Sequence, residues 1–456
     1  MKAAIIHYHL RPGGVTRVLQ TQVQALRKTG HEVQVIAGTD GLDLGEVVIP
    51  GLDYGQKWPL NGWLPSQIEA ALRNFDPDMV VIHNAFLGLN NAFPDLVDRL
   101  ANSPRPVLFQ CHDFPEDQRP ANFQRLPPDL YPIADHLHYA VINQRDLKHL
   151  LAVGFRKSRL HYLPNAVNPP TLAAFPEPHS AKPNYVFYPV RGMRRKNLGE
   201  FLFLAKHAPP AWQFIVAMGP EDSSQEKSYL AWQKVTRQLD LSVRFSVVDE
   251  EEPFPGAGRD FRSWLTYADH IATTSVAEGF GLTFLEAQVL GVPLFGRDLP
   301  AITQDFPMPA APDRFYSRLP VPAPFLPKSE PESSLRRARR AYGTPTTQAD
   351  VEAWKKAHLR GDTIDFGRLP VSAQIDVLKI HYDPALARWL EKILTSPKPA
   401  PRNLPNWDLT AYSKALPQLV KKVAQSQPSA PTYRQKTTLL PCFLDPQNHI
   451  PLLAAP

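Results

Sequence analysis

The chain has 456 residues, of which 43% are hydrophobic and 21% charged, so it is long enough for two or three globular domains and too apolar for a disordered tail. Two cysteines exclude a disulfide framework, and no apolar run reaches the roughly 18 residues of a membrane span, so we expect a cytoplasmic protein without a transmembrane segment. The formal charge of +6 predicts an anionic partner without distinguishing phosphates, nucleic acid or a lipid surface.

The first part of the chain alternates between predicted strands and helices. A buried strand at 2–6 is followed by a turn containing Gly13 and Gly14, and a helix then runs to Gly30. Further strands are predicted at 32–37, 79–83 and 106–111. Repeated βα units of this kind predict a parallel sheet with helices on both faces, in a Rossmann-like domain spanning 1–170.

The alternation restarts after a proline-bearing linker predicted at 171–184. The predicted strands lie at 185–190, 212–218 and 243–248, with helices at 198–208 and 229–239 between them. This pattern predicts a second doubly wound domain over 185–395. Two such α/β sheets are expected to face a cleft, in which ligands bind outside the carboxyl ends of the strands.

Prolines dominate two later regions of the chain. The interval 307–331 holds eight prolines, which predicts an extended surface insertion without regular helix and with little strand pairing. Residues 396–456 are predicted to form a Pro-rich C-terminal extension that contains a helix at 409–423.

The pair Gly13-Gly14 lies between the first strand and the first helix. Backbone N–H groups at such a position can hold an anion, and a tight turn that needs glycine for its φ angles explains the pair equally well. The spacing does not match Gly-x-Gly-x-x-Gly, which argues against an NAD-dependent oxidoreductase.

Arg191 and Lys196 follow the first strand of the second sheet. A guanidinium and an ammonium at this position suit a diphosphate, because the carboxyl end of the strand borders the predicted cleft. A basic loop that faces water is the alternative explanation.

The stretch SVAEGFGLTFLEAQVLGVP at 275–293 places Glu278 in a glycine-rich loop and Glu286 about one turn inside the following helix. Glu286 suits hydrogen bonds from a vicinal diol, and Glu278 lies nearer the reacting end of a ligand. Backbone contacts to phosphate or sugar oxygens are predicted from the loop and the first helical residues, namely Gly279, Phe280, Gly281, Leu282 and Thr283. A glycosidase pair of carboxyls remains the alternative, because spacing alone does not give their separation.

At these residues the sequence resembles retaining glycosyltransferases of the GT-B fold, and more narrowly glycosyltransferase family 4, over residues 1 to about 305. The resemblance rests on Gly13-Gly14, His112-Asp113, residues 163–168, Arg191 with Lys196, and Glu278 with Glu286. It implies that Arg191 and Lys196 bind the donor diphosphate and that Glu286 binds the nucleotide ribose. It also implies that Glu278 holds a hydroxyl of the transferred sugar and that His112 lies over that sugar from the opposite domain.

The activity implied by the resemblance is transfer of a hexose, with retention, from a UDP-, GDP- or ADP-linked sugar to a hydroxyl of a sugar, glycan or lipid-linked acceptor. A nucleoside diphosphate leaves as a stable anion, so fixed cations suffice and neither a cofactor nor a metal is expected. Asp76 and Asp78 resemble an Asp-x-Asp metal pair, but they precede a strand and therefore lie at its wrong end. Front-side attack on the anomeric carbon explains retention, and a mechanism with a transient covalent intermediate is the alternative.

Two positions depart from the family pattern. Val190 replaces the glycine that often precedes the arginine, and residues 297–300 replace a small-residue loop. A catalytically silent nucleotide-sugar-binding or scaffold protein is the second functional hypothesis. Nucleic-acid binding through the cluster 336–340 ranks last, so no nucleic acid is expected as a partner, while the basic surface leaves peripheral membrane contact open.

Overall fold

The computed structural model describes the chain except for residues 12, 42–45, 55–62, 168–182, 222, 308–311 and 452–456. The predicted linker therefore lies outside the described residues except for its last two positions, as does a small part of the predicted insertion. The chain forms two compact units. Unit 1 contains Met1–Val167, Arg339–Thr344 and Pro405–Asp445, and unit 2 contains the rest of the described residues.

The elements of both units are numbered in chain order. The described strands are β1 (Lys2–His7), β2 (Glu32–Ala37), β3 (Val47–Val48), β4 (Met79–His83), β5 (Val107–Cys111), β6 (Asp129–Ile133), β7 (Leu137–Val141), β8 (Leu160–Tyr162), β9 (Tyr185–Arg191), β10 (Gln213–Met218), β11 (Val243–Phe245), β12 (His270–Thr273), β13 (Leu294–Arg297), β14 (Phe315–Tyr316), β15 (Pro320–Pro322), β16 (Thr363–Asp365) and β17 (Thr432–Gln435).

The described α-helices are α1 (Gly14–Lys28), α2 (Trp63–Phe75), α3 (Phe93–Asn102), α4 (Pro120–Arg125), α5 (Gln144–Ala152), α6 (Leu198–His207), α7 (Ser223–Gln238), α8 (Phe261–Thr266), α9 (Leu282–Leu290), α10 (Pro300–Thr303), α11 (Glu330–Ala341), α12 (Gln348–His358), α13 (Val371–Ile380), α14 (Pro384–Leu394), α15 (Leu409–Ala424) and α16 (Leu440–Phe443). Among the described residues, no helix combines the length and apolarity needed to cross a bilayer.

Unit 1 is built on a seven-stranded sheet in the order β3-β2-β1-β4-β5-β7-β8, and every neighbouring pair is parallel. Alternate residues of its central strands enter two separate apolar cores. One core packs against α2 and α3 and the other against α1 and α15, so helices cover both faces of the sheet. The prediction of a doubly wound parallel sheet is confirmed.

The chain returns to unit 1 near its C-terminal end. Leu416, Val420 and Val423 of α15 are buried in the same core as the apolar face of α1, and β17 pairs antiparallel with β6. Residues 396–456 were predicted to form a Pro-rich extension, but in the structure 405–445 belong to unit 1. The difference arises because the apolar stripe of α15 buries surface that the sheet of unit 1 would otherwise expose.

Unit 2 is built on a six-stranded parallel sheet in the order β11-β10-β9-β12-β13-β14, which confirms the second predicted Rossmann-like sheet. The prolines of 307–331 were predicted to allow little strand pairing, and the strands described there are only two and three residues long. There, β14 joins the main sheet and β15 pairs antiparallel with β16. The hydrogen bonds on either side of β15 are donated by the backbone N–H groups of Ala323 and Phe366, so the two prolines of the strand need supply no donor. Val321, which lies between these prolines, is buried.

Candidate active site

A small pocket in unit 2 lies where β9 and β12 end and α9 begins. It is lined by Tyr188, Val190, Ala272, Thr273, Ser275, Glu278, Gly281, Thr283 and Phe284. Ligands of doubly wound sheets bind at the carboxyl ends of the strands, so this is the end of the sheet at which chemistry is expected.

The pocket is bordered by a buried ion pair between Lys196 and Glu278. The lysine Nζ lies 2.5 and 2.6 Å from the two carboxylate oxygens, and each side chain is only 12% exposed. Burial raises the pKa of Glu278, but the positive charges of Lys196 and Arg195 together lower it by more. The pKa therefore lies below its usual range. The carboxyl of Glu278 is therefore ionised near neutral pH.

The backbone around Lys196 is held from several sides. The hydroxyls of Tyr188 and Thr274 donate hydrogen bonds to the carbonyl oxygen of Lys196. The next residue, Asn197, has a left-handed φ of 60°, and its Nδ2 donates to Glu200 at 2.7 Å. These contacts fix the short 3-10 turn from which Lys196 reaches Glu278.

Arg194 belongs to the same turn but not to the pocket lining. Its Nη2 donates to the carbonyl oxygens of Gly367 and Leu369 at 3.1 and 2.9 Å. This arginine therefore ties the turn to a later segment of unit 2, although the sequence grouped it with its basic neighbours.

Arg191 is the last residue of β9 and is not paired with Glu278. Its guanidinium forms an ion pair with the exposed Glu221, and its Nη1 is 3.5 Å from the carbonyl oxygen of Gly219. The structure thus brings Lys196 and Glu278 together and places Arg191 against a different carboxylate.

The loop before α9 contains the five predicted backbone contacts. Gly281 has a φ of 87°, a conformation that favours glycine, and it has no side chain with which to cap α9. Gly281 and Thr283 line the pocket, whereas the side chain of Phe280 is buried against Phe306 with ring centroids 5.2 Å apart. Gly279 lies in the same loop, and Leu282 is the first residue of α9.

Glu286 lies within α9 and is 6% exposed. It is not among the residues that line the pocket. Residues three and four apart share a helix face, so Glu286 is on the same face as Leu282 and Thr283.

In unit 1, His112 directly follows β5 and is almost fully buried. Its Nε2 lies 2.9 Å from Nδ1 of His83, the last residue of β4, and its backbone N–H donates to Oδ1 of Asn84 at 2.8 Å. Burial lowers the pKa of His112 to about 4, so its imidazole is neutral at neutral pH.

Gly13 and Gly14 lie at the start of α1. Gly13 has an extended φ of 179°, and Gly14 is not among the residues with positive φ. A Cβ added at Gly14 would meet no atom of the described residues within 4 Å. The tight-turn explanation for these glycines is therefore wrong, because neither needs the left-handed conformation.

A model of Glycosyltransferase Family 4 matches residues 12–170. Mannosylglucosyl-3-phosphoglycerate synthase from Petrotoga mobilis is 26% identical over 422 residues, which cover 81% of this chain and 79% of that protein. The chain is thus similar to family 4 glycosyltransferases, and these similarities support a transferase enzyme.

Solved structures support the fold of the transferase. The Anabaena protein Alr3699/HepE in complex with UDP and glucose is 13% identical, with 92% of this chain and 99% of that chain covered and a TM-score of 0.52. The same protein in complex with UDP-glucose has the same identity and coverage and a TM-score of 0.51. Together with the two parallel sheets, this similarity shows a GT-B fold.

The departure at Arg297 has a structural explanation in the transferase. Its guanidinium is buried and donates to both Glu200 and Asp365, at distances of 2.6 to 3.0 Å. Arg297 therefore forms part of a buried ion cluster and does not line the pocket, whereas Val190, the other departure, does line it.

The sequence did not single out the partners of His112 in the transferase. His83 contacts His112, and Gln22, Gln110 and Tyr412 continue from His83 as a buried chain of hydrogen bonds; the four residues come from four separate elements. The local signal was the polar side chains His83 and Gln110 near the carboxyl ends of two otherwise apolar strands. Their partners are distant in the sequence, so local patterns could not reveal the cluster.

Proposed function

We propose that the transferase moves a hexose from a nucleotide-diphosphate sugar to a hydroxyl acceptor, with retention of anomeric configuration and without a metal ion. The donor class is supported by the UDP and UDP-glucose complexes of Alr3699/HepE. The Petrotoga relative is named for a product that contains phosphoglycerate, and an anionic acceptor of this kind fits the formal charge of +6.

The observation that carries the proposal is the buried Lys196–Glu278 pair at the carboxyl ends of β9 and β12, next to the first turn of α9. Departure of a nucleoside diphosphate develops negative charge on its phosphates. A fixed ammonium and helix N-terminal amides stabilise that charge better than water does, because they need not reorganise during the reaction.

The proposed roles are divided between the two ends of the donor. Lys196 and Arg191 bind the diphosphate, and the first residues of α9 and the pair Gly13-Gly14 contribute N–H donors. Glu286 accepts hydrogen bonds from the ribose diol, Glu278 from a hydroxyl of the hexose, and His112 contacts the same sugar.

The leaving group needs no proton, so none of these residues has to act as a general acid. The acceptor hydroxyl attacks the anomeric carbon from the face that the diphosphate leaves, and the departing phosphate oxygen can take the hydroxyl proton. This route explains retention with fixed cations alone.

Isothermal titration with UDP, GDP and ADP tests the donor assignment. We expect at least one nucleotide to bind, and we expect Lys196→Ala to weaken that binding by about 10- to 100-fold because a charge-assisted hydrogen bond is lost. The matched control is Lys392→Ala, which removes an exposed lysine paired with Asp313 at 2.8 Å in the same unit. Failure of all three nucleotides to bind, or equal affinities for the wild type and Lys196→Ala, would overturn the assignment.

Retention and metal independence are tested on the product. We expect an unchanged anomeric configuration in the NMR coupling constants of the transferred sugar, and unchanged turnover in a chelating buffer. An inverted product would contradict front-side attack, and turnover that is abolished by the chelator and restored by a divalent cation would contradict catalysis by Lys196 and Arg191 alone.

A further inference from the structure

The strand ends of unit 1 bring together a chain of hydrogen-bonded side chains that begins at His112. His112 contacts His83, and the two rings are stacked with centroids 5.1 Å apart and planes inclined by 10°. Nε2 of His83 lies 3.1 Å from Oε1 of Gln22 on α1. Nε2 of Gln22 donates to Gln110 and, at 2.9 Å, to the hydroxyl of Tyr412 on α15.

The donor and acceptor of each hydrogen bond follow from the contacts of Gln22 with Gln110 and His83. In the structure the two amides are oriented so that Nε2 of Gln22 donates to Oε1 of Gln110 and Oε1 of Gln22 faces Nε2 of His83. Nε2 of His83 must then be the donor to Gln22.

The two histidines are neutral, which fixes their remaining nitrogens. Burial lowers the pKa of His83 well below its usual value and that of His112 to about 4. A neutral imidazole has one N–H, so Nδ1 of His83 accepts a hydrogen bond and Nε2 of His112 donates it. Nδ1 of His112 is left as a hydrogen-bond acceptor.

We propose that His83, Gln22 and Tyr412 are positioning residues that hold His112 as its Nε2–H tautomer, so that Nδ1 of His112 accepts a hydrogen bond from a hydroxyl of the transferred hexose. This inference rests on the proposed function, because it assumes that His112 contacts the sugar. A sugar hydroxyl can donate to an unprotonated ring nitrogen, whereas a protonated nitrogen in the same place would instead need an acceptor.

Tyr412 connects α15 to the hydrogen-bonded side chains that end at His112. The hydroxyl of Tyr412 is the only side-chain contact that the described part of α15 makes to this chain of hydrogen bonds, and it accepts from the amide nitrogen of Gln22. That contact favours the amide orientation that directs Oε1 of Gln22 to His83. Docking of α15 on α1 is thereby linked to the tautomer of His112.

The tautomer can be read directly by NMR of the full chain labelled with ¹⁵N-histidine. Comparison of the wild type with His112→Asn assigns the His112 signals. We expect Nε2 of His112 to have the chemical shift of a protonated ring nitrogen and Nδ1 that of an unprotonated one. A wild-type spectrum with the reverse pattern overturns the inference, whether or not the protein turns over donor.

Kinetics of matched variants tests the positioning roles. We expect His83→Leu to lower kcat by about 10-fold, with little change in the donor KM, because His112 loses one hydrogen bond that fixes its ring. His83→Gln should recover most of this loss, since its Oε1 can accept from Nε2 of His112. Equal rates for the leucine and glutamine variants would overturn the positioning role of His83.

Tyr412→Phe keeps the ring and removes only the hydroxyl, so it tests the inference even if His83→Leu fails to fold. We expect a 2- to 5-fold lower kcat, or about 0.4–1 kcal/mol, and a His112 signal that shows both tautomers. The control is Tyr433→Phe, which removes another hydroxyl of the C-terminal segment, one that donates to Asp98 on α3. Tyr412→Phe and Tyr433→Phe with the same kcat and the same His112 spectrum would contradict the role of Tyr412. If instead no donor is turned over by the wild type, the proposed function fails while the NMR result still decides the tautomer.

Discussion

At the carboxyl ends of their strands, unit 1 buries two histidines whose pKa values are lowered, whereas unit 2 buries ion pairs in which the pKa values of Glu278 and Asp365 are lowered. His83 and His112 are neutral and hydrogen-bonded to each other. In unit 2, Lys196 faces Glu278, and Arg297 faces two carboxylates. The difference teaches that burial alone does not decide ionisation: a partner of opposite charge within hydrogen-bonding distance offsets the cost of desolvation, and a second imidazole does not.

The strongest test of this comparison removes the cation from the Arg297 cluster. Arg297→Met leaves the carboxylates of Glu200 and Asp365 buried without their guanidinium, so we expect the free energy of unfolding of unit 2 to fall by about 3–5 kcal/mol. Urea unfolding followed by the fluorescence of Trp264 and Trp354, both buried in unit 2, measures this loss.

The triple variant Arg297→Met, Glu200→Leu, Asp365→Asn is the control for the Arg297 test. It removes all three charges together, so it should regain part of the stability lost in Arg297→Met. A loss below about 1 kcal/mol for the single variant would show that the cluster is not a set of mutually dependent charges.

A second test concerns Glu116, a buried carboxyl of unit 1 that accepts hydrogen bonds from Tyr131 at 2.8 and 3.0 Å. Burial raises the pKa of Glu116 from 4.5 to about 8. Between these values the folded protein retains a proton that the unfolded chain has lost, so the free energy of unfolding decreases as the pH rises. Glu116→Gln removes this dependence.

We therefore expect Glu116→Gln to gain stability relative to the wild type by about 1–3 kcal/mol between pH 5 and pH 8. Unfolding curves of both proteins at several pH values measure the difference, and Tyr131→Phe is the control that removes the hydrogen bond without removing the carboxyl. A difference that stays constant over this pH range would show that Glu116 is ionised in the fold.

The smallest effect is expected from the exposed pair of Lys392 and Asp313, which has a distance of 2.8 Å but side chains that are 70% and 56% exposed. Water already solvates both charges, so Asp313→Asn should leave the Tm unchanged within the error of a thermal melt. A measurable decrease would show that distance, and not burial, sets the contribution of an ion pair in this protein.

The parallel sheets were predictable because buried parallel strands are short apolar runs between helices and turns. The strand β7 was missed, since its apolar run is interrupted by His138, which is buried and contacts His161, Ser426 and Arg159. The return of α15 and β17 to unit 1 depends on packing between segments that are far apart in the sequence, and no local pattern reports it.

The residues of the candidate site also include some that the sequence could predict and some that it could not. Short motifs identified Lys196, Glu278 and His112, which the structure places at or beside strand ends. The partners of His112 could not be predicted, because Gln22 lies 61 positions from His83 and 390 positions from Tyr412. The contact of Arg191 with Glu221 also depends on side-chain geometry that spacing does not give.

The packing of α15 on α1 has a consequence for biosynthesis. Translation proceeds from the amino end, so the ribosome completes the whole second sheet before residues 409–424 emerge to cover α1. Throughout that interval the core beside α1 lacks the apolar residues that α15 contributes to it, Leu416, Val420 and Val423. A premature stop codon shortly before residue 409 would therefore yield an aggregating product even though nearly all of both sheets had been synthesised.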